Sequence, residues 1–183
     1  HFLSNTFQLI GGMAMREGAD DIYDATIKMS NLVRYSMRID QEAVSIEQEL
    51  QHVREYLDIQ KLRFDDQLDF SVEMEEQLLK MELPKFTFQP ILENSFKYGV
   101  KKVERTWKIS IFTTVTDTIN IHISDNGVGM KPEGIEQLND RFKQNNMVFN
   151  DSGLTDKVSV GLINIDSRIK LLYGKAYGLK ISP

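Results

Sequence analysis

The chain has 183 residues, 41% of them hydrophobic and 27% charged, with a formal net charge of -5. That composition supports one or two small domains with proper cores, and the acidic balance excludes the basic field of a nucleic-acid binder. Cysteine is absent, which rules out disulfides and thiolate metal sites, and no apolar run reaches the roughly 20 residues of a membrane span.

The first third reads as helix. From Ile22, residues Ala25, Met29, Leu32, Val33, Ser36 and Met37 recur at helical spacing. Ser45 then opens "SIEQ", a capping-box pattern in which Gln48 reaches back to the cap. Ile46, Leu50, Val53, Leu57 and Phe64 follow as a heptad-like stripe. Two such helices joined near Asp40 make an antiparallel hairpin. Neither buries its stripe alone, so a bundle is expected, with a second copy or with the following domain.

The pattern changes after Phe64, where Leu68, Phe70, Val72 and Met74 alternate as in a strand. Pro84 and Pro90 frame the start of an amphipathic helix over 88–100, "FQPILENSFKYGV". Trp107 is expected to start a strand. Ile109, Ile111 and Val115, then Ile119, Ile121 and Ile123, form a hairpin around "TDT". A polar stretch over 131–159 is read as a mobile segment with one short helix. "GLINIDSRIKLLYG" resumes a helical stripe that Gly174 caps. There is no initiator Met ahead of His1, and the chain stops at Pro183 after a strand-like "LKIS", so a fragment of a longer protein lacking its last strand is expected.

Three stretches carry candidate chemistry. On the helix over 88–100, Asn94, Lys97 and Tyr98 stand at i, i+3 and i+4 and share a face. An amide oxygen suits Mg²⁺, an ammonium suits phosphate, and a phenol ring can pack on a nucleotide. "SDNGVGM" follows the strand over 119–123. Asp125 there can accept a hydrogen bond from an exocyclic amine, and Gly127 and Gly129 let backbone approach a ligand closely. "VGLINIDSR", with Gly161, opens the last helix, whose N–H groups favour an anion.

Taken in order, these parts resemble the ATP-binding fold shared by bacterial sensor histidine kinases, type II topoisomerases and the large heat-shock chaperones. "LENSFKYG" resembles its asparagine box, "DNGVGM" its first glycine box and "VGLINIDSRIKLLYG" its second. "HFLSNTFQLI" is similar to the phosphoacceptor segment of the LytS/YesM-type sensor kinases, and "EQELQHVREYLDIQKLRF" to the same subfamily. The resemblance implies an α+β chain in two parts. Residues 1–66 would be a helical hairpin that dimerises into a four-helix bundle and carries the phosphoacceptor; residues 67–183 would be an α/β-sandwich ATP-binding domain of the GHKL type.

The implied cofactors are ATP and Mg²⁺. Asn94 would hold Mg²⁺, Lys97 would contact phosphate and Tyr98 the nucleotide, and Asp125 would read adenine between Gly127 and Gly129, with Gly161 at the phosphate end of the lid. His1 would be phosphorylated, and Glu93 is a second candidate catalytic residue. The implied partners are a second copy and a response regulator, with no nucleic acid. The implied place is the cytoplasmic side of a bacterial membrane, reached only through upstream segments. The alternatives are a nucleotide-binding dimer module without kinase activity, or a GHKL-type serine kinase or ATPase. The chain departs from the family pattern in three places. Pro90 stands where many relatives carry Asn or Glu, residue 4 is Ser, and Ser159 replaces a second-box glycine. His52, off the heptad stripe, and His122, alternating with inward isoleucines, are both expected at the surface.

Overall fold

The computed structural model describes residues 2–37, 41–64, 67–99, 106–144 and 157–183. It begins with helices α1 (Phe2–Arg16) and α2 (Asp20–Met37). Gly18, with a φ of 67°, turns the chain between them, and the Ala19 N–H reaches back to the Ala14 carbonyl at 2.9 Å. Glycine takes that left-handed geometry without the steric cost of a Cβ. The hairpin closes on small residues: Gly11 and Ala14 of α1, Thr26 and Ser30 of α2 are buried. Larger apolar side chains, among them Phe2, Leu9, Ile10, Met13, Ile22 and Met29, stay exposed. α1 and α2 thus form one tight hairpin, and α2 with Ile46–Phe64 forms the expected antiparallel pair, Lys28, Asn31 and Tyr35 meeting Asp58, Glu55 and Glu49 in turn. The joint expected near Asp40 lies outside the described residues.

Strand β1 (Ala43–Ser45) leads directly into α3 (Ile46–Phe64). The expected capping box forms in both directions, with Gln48 N–H donating to Ser45 Oγ at 3.2 Å and Ser45 N–H to Gln48 Oε1 at 3.1 Å. Ile46, Leu50, Val53 and Leu57 are each at most 1% exposed. Full burial of each such side chain contributes about 1.5–3 kcal/mol. They bury against the following strands, so of the two outcomes left open for this stripe, the structure takes the packing within one chain. Polar contacts hold α2 along the outer side of α3: Lys28 pairs with Asp58 at 2.8 Å, and Asn31 Nδ2 donates to Glu55 Oε1 at 2.8 Å.

The remaining strands are β2 (Leu68–Glu73), β3 (Glu82–Pro84), β4 (Trp107–Val115) and β5 (Ile119–Asp125). β2 runs parallel to β4, and β4 antiparallel to β5 through the expected hairpin, in the order β2-β4-β5. β3 pairs separately with β1. Parallel pairing of β2 and β4 needs a crossover, and that crossover carries the short helix α4 (Gln89–Asn94). Ile109 and Ile111 of β4 pack with α3 and with Leu92 and Phe96 in one core. On the other face His122 stacks on Phe112 and bonds Thr114 Oγ1 at 2.8 Å, exposed as expected.

Helices α5 (Pro132–Gln144) and α6 (Lys157–Tyr173) form a second cluster through Leu138, Phe142 and Leu162, into which Ile91 of α4 inserts. The middle of the expected mobile stretch, 145–156, lies outside the described residues. "LKIS" joins no strand ladder among the described residues. Asn139 instead bonds the Ile181 backbone twice, at 2.8 and 2.9 Å, and buried Asp166 accepts the Leu179 N–H at 2.8 Å.

The turn between β3 and α4 is built on a carboxylate that sequence patterns do not reveal. Glu49 of α3 is fully buried. Its oxygens accept the N–H groups of Phe86 at 2.7 Å, Thr87 at 2.9 Å and Phe88 at 3.2 Å, and also the Tyr35 hydroxyl. Phe86 takes a left-handed φ of 60° to aim those N–H groups together. A β-carbon there costs about 1–3 kcal/mol of strain, which the charge-assisted bonds offset. Replacing Glu49 with Ala leaves three backbone donors unsatisfied. Urea unfolding of Glu49→Ala is expected to show a loss of about 3–5 kcal/mol; a loss below about 1 kcal/mol would mean that water or a neighbour replaces the carboxylate.

Candidate functional site

Asn94 is the last residue of α4, and the chain continues into a π-helical turn, Ser95–Gly99. A π turn is wider than an α turn and recurs at functional sites. It therefore spreads Asn94, Lys97 and Tyr98 differently from the single α-helical face expected of their spacing. Leu92, Ser95 and Phe96 hold the inner side of this segment in the core. Asn94 is half-buried, whereas Glu93, Lys97 and Tyr98 are exposed. The Lys97 ammonium rests 4.7 Å from the centre of the Tyr98 ring.

Asp125 ends β5, opposite Ile109. Its Oδ1 accepts the Gly127 N–H at 2.9 Å, closing the turn that follows. The next residue performs a structural task. Asn126 extends the ladder with its side chain, accepting the Lys108 N–H at 2.9 Å and donating to the Thr106 carbonyl at 3.0 Å. That clamp fixes where the Asp125 carboxylate leaves the sheet. Gly129 has a φ of 67°, a left-handed conformation that glycine takes without strain, and open space around its absent Cβ. Gly161 also has open space around it, but α6 begins at Lys157. Gly161 thus sits one turn inside the helix, and the terminal N–H groups belong to the residues before it. His1 lies outside the described residues.

The structure brings two of the candidates together in one cleft. Glu93 and Lys97 line a space of about 180 Å³ with Tyr56, Gln60 and Arg63 of α3. Asn94 and Asp125 do not line it. The α3 residues were not among the candidates, because only packing of α3 against α4 makes them neighbours. Burial pushes the Tyr56 phenol up to about 12, with the charge of Glu93 adding to the shift and Arg63 opposing it.

The expectation for His52 is overturned. It is 3% exposed, because Tyr35 of α2 stacks on it at 4.1 Å and Phe86 meets its edge at 5.6 Å. Its Nε2 lies 2.5 Å from Gln89 Oε1, and Gln89 Nε2 donates to Glu93 Oε1 at 2.8 Å. Arg168 donates from α6 to the carbonyls of Lys85 at 2.6 Å and Glu42 at 3.2 Å.

Comparison with known families adds to this geometry. The family described as Histidine kinase matches residues 1–68, and that described as Histidine kinase-, DNA gyrase B-, and HSP90-like ATPase matches residues 82–178. The chain belongs to this ATPase family. The resemblance to LytS/YesM-type sensor kinases is borne out as well. Sensor histidine kinase YesM of Bacillus subtilis (strain 168) is 30% identical over 99% of this chain and 29% of its own length. Sensor protein LytS of Oceanobacillus iheyensis is 32% identical over 99% of this chain and 30% of its own. Sensor protein kinase HptS of Staphylococcus aureus (strain USA300) is 27% identical over 99% of this chain and 33% of its own. The chain thus spans about a third of the length of these relatives. The ATPase match contains Asn94, Asp125, Gly127, Gly129 and Gly161, whereas the α3 side of the cleft comes from the kinase match. Among the described residues no helix is long and apolar enough to cross a membrane.

The Tyr56 shift has a measurable consequence. A raised folded value means the preference for the neutral phenol is complete below the unfolded value of 10 and is lost as pH rises through about 12. Urea midpoints are expected to fall over that window in the parent and to fall less in Tyr56→Phe. Identical slopes in the two proteins would show that the phenol titrates as it does in the unfolded chain.

Proposed function

We propose that this chain is the cytoplasmic portion of a membrane-anchored two-component sensor histidine kinase. Mg·ATP would phosphorylate His1, and the phosphoryl group would pass to an aspartate of a response regulator. What carries the reading is the order of parts on one chain: a kinase-type helical half, then an ATPase half with Asn94 ending α4 and Asp125 ending β5. In the transfer the imidazole nitrogen forms a bond to the γ-phosphorus, the bond to the β,γ-bridging oxygen breaks, and ADP leaves with that electron pair. Catalysis of such a step is mostly positioning and charge neutralisation.

The donor chemistry fits a Mg²⁺ delivered on a polyphosphate. Among the described residues no three His, Cys, Asp or Glu side chains group as a metal cage. The half-buried Asn94 amide would be one ligand, which suits a cation that keeps several waters and phosphate oxygens. Lys97 would neutralise phosphate charge, Tyr98 would pack on the nucleotide, and Asp125 would accept from the adenine amine. Gly127 and Gly129 would shape the pocket, and Gly161 would serve the lid helix. Glu93, beside Lys97 in the α3 cleft, would act as the carboxylate near the reacting end. The exposed apolar side chains of α1 and α2 support a homodimer through the hairpin.

The burial of α3 in the ATPase core supports placing domain motion between α2 and α3, ahead of the boundary between 1–66 and 67–183 that the resemblance implies. The region 1–66 and the region 67–183 then share α3 as a common element.

In calorimetry, Asn94→Ala is expected to lose the Mg²⁺-dependent part of ATP affinity while the unfolding midpoint holds; unchanged binding would remove the metal role. Asp125→Asn should weaken ATP more than inorganic triphosphate, and equal losses would argue against adenine readout. With labelled ATP, the full-length protein should gain acid-labile phosphate on His1, and His1→Gln should gain none. Label on hydroxyls, or only free phosphate, would favour a serine kinase or an ATPase.

A further inference from the structure

The buried His52 has no task in the proposed chemistry, yet its surroundings are specific. Its Nε2 faces Gln89 Oε1 at 2.5 Å, and Gln89 passes its own N–H to Glu93 at 2.8 Å. The direction of this chain of bonds follows from donor and acceptor chemistry. An ionised carboxylate only accepts, so the Gln89 NH₂ group faces Glu93 and its oxygen faces His52. An amide oxygen also only accepts, so His52 must carry its proton on Nε2. Its Nδ1 is then a bare lone pair, which agrees with a buried Nδ1 that has no hydrogen-bond partner among the described residues. A proton there would be a buried unpaired donor.

The imidazole is held from the other side by the helical half. Tyr35 of α2 stacks on the ring and donates its hydroxyl to Glu49, while Phe86 closes the edge. We propose that His52 and Gln89 are positioning residues for Glu93, a hydrogen-bonded relay that carries the placement of α2 to the carboxylate beside Lys97. The inference rests on the proposed role of Glu93. It adds two residues and a direction of coupling. A shift of α2 that unstacks Tyr35 frees the ring, and the Gln89 amide and the Glu93 carboxylate lose their fixed orientation in turn.

Two variants cut the relay at different places. Gln89→Leu removes both bonds at a half-buried position, and His52→Phe keeps a flat ring against Tyr35 but has no N–H. Each is expected to lower the rate of histidine phosphorylation in the full-length protein by about tenfold or more. ATP affinity should stay close to the parent's in both, Gln89→Leu should lower the unfolding midpoint because it leaves the His52 N–H unpaired, and the double variant should be no slower than the worse single one. His52→Gln, which restores an N–H donor, should recover part of the rate. Single-variant rates within about twofold of the parent, or rate and ATP affinity falling together, would overturn the relay. A second readout does not depend on kinase activity. Nitrogen NMR of the ring should show the Nε2–H form in the parent and a mixture of tautomers in Gln89→Leu. The same mixture in both proteins would overturn the relay even if the parent phosphorylates itself. A parent that makes no phosphohistidine but shows the fixed tautomer would instead count against the kinase reading alone.

Discussion

The carboxylate of Glu49 governs how the two halves of this chain fit together. A fully buried charge persists in a core only when hydrogen bonds replace its lost hydration. Glu49 obtains them from three successive backbone N–H groups at Phe86, Thr87 and Phe88, and from the Tyr35 hydroxyl. The bonds reach forward along the chain to the start of α4 and back to α2. Because α4 leaves directly from this turn, its direction is set by α3, and the location of Asn94 at its far end follows. The buried Lys85 side chain adds to the same knot, lying over the rings of Tyr35 and Phe86 at 4.8 and 5.1 Å.

A second grip comes from the opposite side. Arg168 of α6 binds the carbonyls of Lys85 and Glu42, and the Tyr173 hydroxyl binds that of Glu82. The helix that follows the polar stretch is thereby tied to the same β1–β3 ribbon that leads into Glu49's turn. Its inner face meets α4 through Leu162 and Ile91. Displacement of α6 is therefore felt where α4 begins as well as along its side. The site is framed by contacts between helices, while the three-stranded sheet supplies the floor on which Leu92 and Phe96 rest.

Much of this was legible in sequence, for identifiable reasons. The capping box at Ser45, the stripe of α3, the hairpin at 116–118 and the Gly174 cap are all encoded by residues a few positions apart. The resemblance to the ATPase family, which the family match bears out, likewise rested on contiguous stretches. Several readings missed, among them Gly161 as the opening of the last helix, which begins at Lys157. The spacing along α3 puts His52 off the buried stripe, but the ring is covered by Tyr35 of α2 and by Phe86. Asn94, Lys97 and Tyr98 share one face only in an α-helix, and the chain adopts a π turn there. "LKIS" alternated like a strand, but its backbone is held by the side chains of Asn139 and Asp166.

Sequence by itself determined the local elements, because periodicity, caps and turn residues express short-range sterics and hydrogen bonding, and its contiguous motifs carried the resemblance to the family. Tertiary structure alone decided that α3 joins the ATPase core, that Glu49 folds the turn into α4, and that Arg63, Gln60 and Tyr56 face Glu93 across one cleft. The Glu49 and Glu93 pairings join residues about 30 to 40 positions apart, and α3 reaches still farther along the chain to Ile109 and Ile111. No spacing rule encodes them, since they arise only when two faces are buried against each other and their polar groups must find partners out of water.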